Sequence, residues 1–173
     1  FAREPRPDPL PLEATDDVFS AQPAVGERSP RIFLRYPELT LTVVPEGAGA
    51  SLLELGEAEP SGRTVKAEVV FPVEAPLEPF APFDRVAFAD GSGTGCGVCH
   101  QDEVEAGDGA FASTWLQPLP SLLVPLSEVA WQAQICDPAA TDDRCALLRA
   151  VFGHGDVVHA PFPADLPTIY DPL

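Results

Sequence analysis

One short segment of the chain combines nucleophilic and metal-binding side chains, Cys96-Gly97-Val98-Cys99-His100. Two thiols three positions apart lie about one helical turn from each other, so both can act on the same small target. The imidazole that follows adds a nitrogen ligand. Three kinds of chemistry use this pattern: covalent haem attachment, half of a zinc site and a redox dithiol.

The CxxCH pattern resembles the attachment motif of monohaem c-type cytochromes, and the resemblance is limited to these residues and their surroundings. It implies that the thiols of Cys96 and Cys99 each add to a vinyl group of one haem c. It also implies that His100 is the proximal iron ligand. The rival interpretations fit less well, since a zinc site needs a second close Cys or His pair and a dithiol needs a βαβ setting.

The distal iron ligand has to differ from that of the common small cytochromes, because the chain contains no Met. Two further histidines remain, both late in the chain. We expect His154, which lies between two glycines, to be the distal ligand, with His159 as the second choice. Lys66, Tyr170, water or a vacant position are the alternatives. Ligation by two histidines predicts low-spin iron with a lower potential than His/Met ligation.

The other two cysteines, Cys136 and Cys145, lie between two predicted helices, at about 127–135 and 141–152. A disulfide that staples this helical hairpin is the simplest interpretation, and two free thiols are the alternative. A disulfide requires an oxidising compartment. We therefore expect a periplasmic or extracellular protein whose signal peptide has been removed, in keeping with a chain that opens on Phe1.

Three stretches of the sequence differ in pattern. Residues 1–30 hold six prolines and predict an extended arm, either a disordered terminus or a segment that docks on its own domain or on a neighbouring subunit. Residues 31–90 alternate with period two and predict about five antiparallel strands. Residues 91–173 contain the motif and the helices. The predicted fold class is α+β, a small antiparallel β-sandwich half followed by a disulfide-stapled helical haem-binding half.

The charge of the chain is strongly negative. Ten Lys and Arg stand against 27 Asp and Glu, a formal charge of −17, which repels nucleic acid and anionic lipid. No apolar run is long enough to insert into a membrane. Residues 74–125 sum to −7 and surround the motif, which predicts a redox partner with a basic face. The acidic residues expected to form a solvated rim there are Asp90, Asp102, Glu103, Glu105 and Asp108; a calcium site is the alternative, although their spacing does not match an EF-hand loop.

These patterns together predict an electron-transfer protein with one covalent haem c, and not an enzyme. Neither a phosphate-binding loop nor a nucleophile elbow occurs in the sequence. One alternative is a structural or assembly subunit that self-associates through residues 1–30 and whose haem passes electrons between subunits. A further alternative is a haem enzyme or gas sensor with an open sixth position.

Overall fold

The computed structural model describes residues 5–73 and 75–171, which form a mixed eight-stranded sheet with a few short helices. The chain divides into two compact units. The first unit comprises Phe1–Arg35, Val43–Ala50 and Pro118–Phe162. The second comprises Tyr36–Thr42, Ser51–Gln117 and Pro163–Leu173. The predicted division into 1–30, 31–90 and 91–173 stays a prediction.

The second unit is built on antiparallel strands in the order β6-β7-β5-β4-β3. β4 and β5 pair along their whole length, from Leu52 opposite Val70 to Ala58 opposite Thr64. The chain reverses between them at Gly62, whose φ of 80° suits a residue without a side chain. The strands are β3 (Leu39–Val43), β4 (Leu52–Ala58), β5 (Arg63–Val70), β6 (Val104–Gly107) and β7 (Ala110–Thr114).

Two single-turn helices complete the second unit, α1 (Ala81–Asp84) and α2 (Gly97–His100). α1 has a proline in its first turn, where the missing N–H is not needed. After α1 the chain forms no strand up to residue 90, and it makes one isolated bridge there, between Ala87 and Thr94.

The first unit has the strand order β2-β1-β8, with β1 antiparallel to β2 and parallel to β8. Its strands are β1 (Leu10–Thr15), β2 (Arg31–Arg35) and β8 (Val157–His159). A short 3-10 helix (Pro120–Leu122) precedes α3 (Leu126–Gln134) and α4 (Asp143–Phe152). The most deeply buried large apolar side chains of this unit are Leu12, Ile32, Val44, Val129 and Leu148.

The ends of α4 follow the sequence signals. Asp142 is the N-cap, and its side chain accepts a hydrogen bond from the Cys145 backbone N–H at 2.9 Å. Gly153 is the C-cap. Cys136, just after α3, and Cys145 in α4 are joined by a disulfide with an S–S distance of 2.09 Å. This bond is consistent with an oxidising compartment.

The predicted α+β class is confirmed, but the arrangement predicted within it needs correction. A β-sandwich half followed by a helical haem-binding half, with an extended arm in front, is wrong, because the strands belong to a mixed sheet and occur on both sides of the motif. Part of the expected arm is β1, in which Leu12 is 1% exposed. Its parallel partner β8 follows the helices. None of the helices among the described residues is long and apolar enough to cross a membrane.

Candidate functional site

The two thiols of the CxxCH motif share one turn of helix and are not joined to each other. Cys96 and Cys99 are free and partly buried. The backbone N–H groups of Cys99 and His100 donate to the Cys96 carbonyl at 3.2 and 3.0 Å. Val98, between the two cysteines, is 74% exposed. The motif therefore forms a preformed turn at the surface of the second unit.

The imidazole of His100 is oriented by the end of β7. Its Nδ1 lies 2.9 Å from the carbonyl oxygen of Thr114. Because a carbonyl only accepts, Nδ1 carries the proton, and Nε2 carries the lone pair of the neutral ring. The Thr114 N–H in turn donates to the Gln101 carbonyl at 3.3 Å. Histidines that bind metals commonly donate their other ring N–H in this way.

The other end of the motif is held by Thr94, which is 2% exposed. Its backbone N–H donates to Glu103 Oε2 at 2.6 Å, and its hydroxyl donates to Glu103 Oε1 at 2.5 Å. The same hydroxyl oxygen accepts the backbone N–H groups of Cys96 and Gly97, at 3.1 and 3.3 Å. One carboxylate therefore fixes the hydroxyl that accepts the backbone N–H groups of Cys96 and Gly97 at the start of the turn.

The glycines around the motif leave room for this carboxylate. A Cβ on Gly97 would lie 2.8 Å from Glu103 Oε2, and a Cβ on Gly93 would lie 2.5 Å from the same atom. Gly93 also has a φ of 148°, which side chains disfavour. A side chain at either position would therefore displace the Glu103 carboxylate from the place where it meets Thr94.

The chain reaches Glu103 through two residues with left-handed backbone. Gln101 and Asp102 have φ values of 46° and 44°. Backbone of this kind costs on the order of 1–3 kcal/mol per residue and persists only where surrounding contacts enforce it. Here Arg63 Nε donates to the Asp102 carbonyl at 3.1 Å. The tight reversal carries the Glu103 side chain back over α2.

Burial raises the pKa of the Cys96 thiol above its ordinary value of 9.0, and the charge of Lys66 offsets part of that shift. The group is therefore a neutral thiol at pH 7. Redox dithiols rely on the opposite, a nucleophilic cysteine whose pKa is lowered. This environment argues against disulfide-exchange chemistry at the motif.

Exposed apolar side chains are concentrated in the part of the second unit that precedes and includes the motif. Phe88 is tied to the glycine loop, since its backbone N–H donates to the Gly93 carbonyl at 2.8 Å, and Gly95 N–H donates to the Val86 carbonyl at 3.0 Å. The members at least 36% exposed include Phe71, Val73, Leu77, Phe80, Phe88 and Val98.

The two predicted distal ligands belong to the first unit, whereas the motif belongs to the second. His154 follows α4, and its backbone carbonyl accepts a hydrogen bond from the Arg6 N–H. His159 ends β8, with its Nε2 3.4 Å from Glu13 Oε1. Glu13 is 4% exposed and also accepts the Phe162 N–H at 3.0 Å. Iron ligation by either histidine stays a prediction.

The acidic residues around the motif were expected to form a solvated rim. This prediction is wrong for Glu103, which is hydrogen-bonded to Thr94, while Asp102, Glu105 and Asp108 are exposed.

No group of three or more His, Cys, Asp or Glu suited to a metal ion occurs among residues 5–73 and 75–171. Sequence reasoning missed Thr94 and Glu103 as supports of the motif. The signal was a Thr two residues before the first Cys, between glycines.

Comparison with known proteins found no match, whether among family models, curated proteins or solved structures.

Proposed function

We propose that the protein carries one covalently attached haem c and works as an electron-transfer protein. One observation carries the proposal: a single turn of helix holds two free, partly buried thiols and an imidazole whose Nδ1 donates to the Thr114 carbonyl. A zinc site and a redox dithiol are the rival interpretations, and each lacks a feature that it requires. Within the described residues no group of three or more His, Cys, Asp or Glu suits a metal ion, and burial raises the pKa of the Cys96 thiol, the opposite of what a redox dithiol needs.

The residues of the motif fit this group chemically. Cys96 and Cys99 would hold haem through thioether bonds, and His100 would bind iron through Nε2, the nitrogen that carries the lone pair. Thr114 keeps the imidazole in that tautomer. When bound, haem supplies a one-electron iron couple. The exposed Val98, between the two cysteines, offers apolar surface at the attachment point.

His154 is our preferred distal ligand, with His159 second. His154 stands between Gly153 and Gly155, and the latter has a φ of 117°, so the backbone there has little side-chain bulk. His159 is already engaged with the buried Glu13, a contact that iron ligation through Nε2 would break. Iron ligation by His159 would therefore cost the free energy of its hydrogen bond to Glu13, whereas ligation by His154 would not break that bond.

Visible spectra of the full chain, produced in cells that attach haem c, test both assignments. His100→Ala should abolish the wild-type low-spin spectrum. His154→Ala should convert low-spin bands to high-spin bands, and His159→Ala, the matched control, should leave them unchanged. The reverse result for the two late histidines would transfer the distal role to His159. Wild-type high-spin iron that binds carbon monoxide would instead favour the haem enzyme or gas sensor.

The partner we propose is a redox protein with a basic face, because the part of the chain around the motif is acidic. The periplasm or the extracellular space is the proposed location, supported by the disulfide. Neither nucleic acid nor direct membrane insertion is part of the proposal.

A second candidate is an assembly subunit in which the haem passes electrons between neighbours. It is favoured by Val18 and Phe19, which are 68% and 62% exposed in the N-terminal segment. Light scattering tests it with the wild type and with Val18→Ser/Phe19→Ser. A wild-type oligomer that the double substitution dissociates supports self-assembly through residues 1–30, and a monomeric wild type refutes it.

A further inference from the structure

We propose that Glu103 is a positioning residue, which acts through Thr94 to present the Cys96 thiol for attachment. The inference rests on the proposed function and goes beyond it, because it assigns the two halves of the motif to separate supports. The first half of the motif depends on Glu103 and Thr94. The second half depends on Thr114.

Hydrogen bonds show that the two ends of the motif have separate supports. Thr94 Oγ1 accepts the N–H groups of Cys96 and Gly97, and its own proton goes to Glu103 Oε1, which fixes the orientation of the hydroxyl. His100 is fixed independently at β7. Loss of the Glu103 contact therefore frees the Cys96 end of the turn and leaves His100 oriented.

The carboxylate is chemically specific for this task. The backbone N–H and the hydroxyl of Thr94 each donate a hydrogen bond to a different oxygen of Glu103. Glutamine has the same size but only one acceptor oxygen, so it satisfies one donor and leaves the other without its bond. At position 94, serine keeps the hydroxyl, whereas valine keeps the shape and loses it. These substitutions separate hydrogen bonding from packing.

The step that depends on this positioning is an addition. The Cys96 S–H adds across a vinyl double bond of haem, so that sulfur bonds to the inner carbon and the hydrogen goes to the terminal carbon. No electron is gained or lost overall, and no oxidant or reductant is consumed. A thiol that is held poorly should fail in this addition while Cys99 still reacts.

The test compares haem-loaded full-length chains of the wild type, Glu103→Gln and Thr94→Val with two controls, Thr94→Ser and Glu105→Gln. Glu105 is an exposed residue of β6. Iodoacetamide labelling and peptide mass give the share of chains whose Cys96 has no thioether bond. That share should rise about fivefold in Glu103→Gln, the ratio that corresponds to one lost hydrogen bond of about 1 kcal/mol, and at least as much in Thr94→Val, which loses all three hydrogen bonds of the hydroxyl; it should not rise in the controls.

A spectroscopic signature separates positioning from general destabilisation. A haem with one unreacted vinyl group shifts the α band of its pyridine haemochrome to longer wavelength, which loss of stability alone does not produce. Equal Cys96 labelling and equal α bands in all five haem-loaded proteins would overturn the proposal. If Glu103→Gln does not fold, as judged by circular dichroism, Thr94→Val decides the question by the same two readouts.

Failure of the proposed function is distinguishable from failure of this inference. A wild type without haem refutes the proposed function, and the attachment role of Glu103 with it. A wild type with two thioether bonds that Glu103→Gln and Thr94→Val also retain refutes only the role of Glu103.

Discussion

Among single residues, His100 and Cys96 have environments that differ from those of ordinary surface side chains. The hydrogen bond to Thr114 selects the tautomer of His100, and burial holds the Cys96 thiol in its neutral form. The two side chains are neighbours on one turn but have different supports. Contacts with residues far along the chain, more than the motif itself, give them these properties.

The raised pKa of Cys96 predicts a shifted pH profile for its alkylation. In haem-free Cys99→Ser protein, only the thiolate of Cys96 reacts with iodoacetamide. Because burial raises the folded-state pKa, the rate should climb at higher pH than for the same protein unfolded in urea. Lys66→Gln should move the profile higher still, since the Lys66 charge lowers this pKa. A folded profile at or below the unfolded one would contradict this account.

The motif could be identified from sequence because five consecutive residues define it. Its support by Glu103 could not be predicted, since the contact needs Gln101 and Asp102 in left-handed backbone, which side chains rarely adopt. An acidic residue among other acidic residues looks solvated until the turn is known. The Thr114 contact of His100 depends in the same way on where β7 ends.

At the scale of elements, the helical hairpin of the first unit is the part that local signals specify best. α3 and α4 were predictable to within two residues because their apolar periodicity is helical and α4 has a capping Asp142 and a terminal Gly153. β1 and β8 were not, since they are short and pair with each other across most of the chain. β8 has only three residues, which is too short for an alternation of apolar and polar residues to be recognised.

The disulfide of that hairpin should contribute measurably to stability. Cys136 and Cys145 are nine positions apart, and closing a loop of that length stabilises the folded state by about 2.5 kcal/mol in the chain-entropy description. Cys136→Ala/Cys145→Ala should lower the free energy of unfolding by about that amount in urea titrations. Asp142→Ala, which removes only the N-cap, should cost about 1 kcal/mol.

Two outcomes would contradict this interpretation of the hairpin. A double Ala variant as stable as the wild type would show that the loop is already constrained without the bond. A larger loss of unfolding free energy in Asp142→Ala than in the double Ala variant would show that the N-cap stabilises the hairpin more than the disulfide does. Asp142→Asn, which retains a capping oxygen, is the matched control and should keep nearly wild-type stability.

At the scale of the whole molecule, charge is the dominant property. A formal charge of −17 spread over 173 residues produces a negative field that attracts cations and repels anions at a distance. The composition predicted this property directly, without any knowledge of the fold. The division into two units could not be predicted in this way, because it depends on contacts between residues distant in sequence.

This field predicts opposite salt effects on two small redox reagents. The bimolecular rate of reaction with a hexaammineruthenium cation should fall as ionic strength rises, and the rate with ferricyanide should increase. Stopped-flow measurements of the haem-loaded protein between low and physiological salt would give both slopes. Slopes of the same sign would show that the acidic surface does not steer partners to the site.

Covalent haem attachment through the motif is the central claim, and one measurement tests it most directly. Full-length wild type and Cys96→Ala/Cys99→Ala are produced in cells that attach haem c, extracted with acidic acetone and examined as pyridine haemochromes. The wild type should retain one haem per chain with the α band of a doubly bonded haem c, and the variant should lose it. A wild type without visible absorption after extraction would contradict the account.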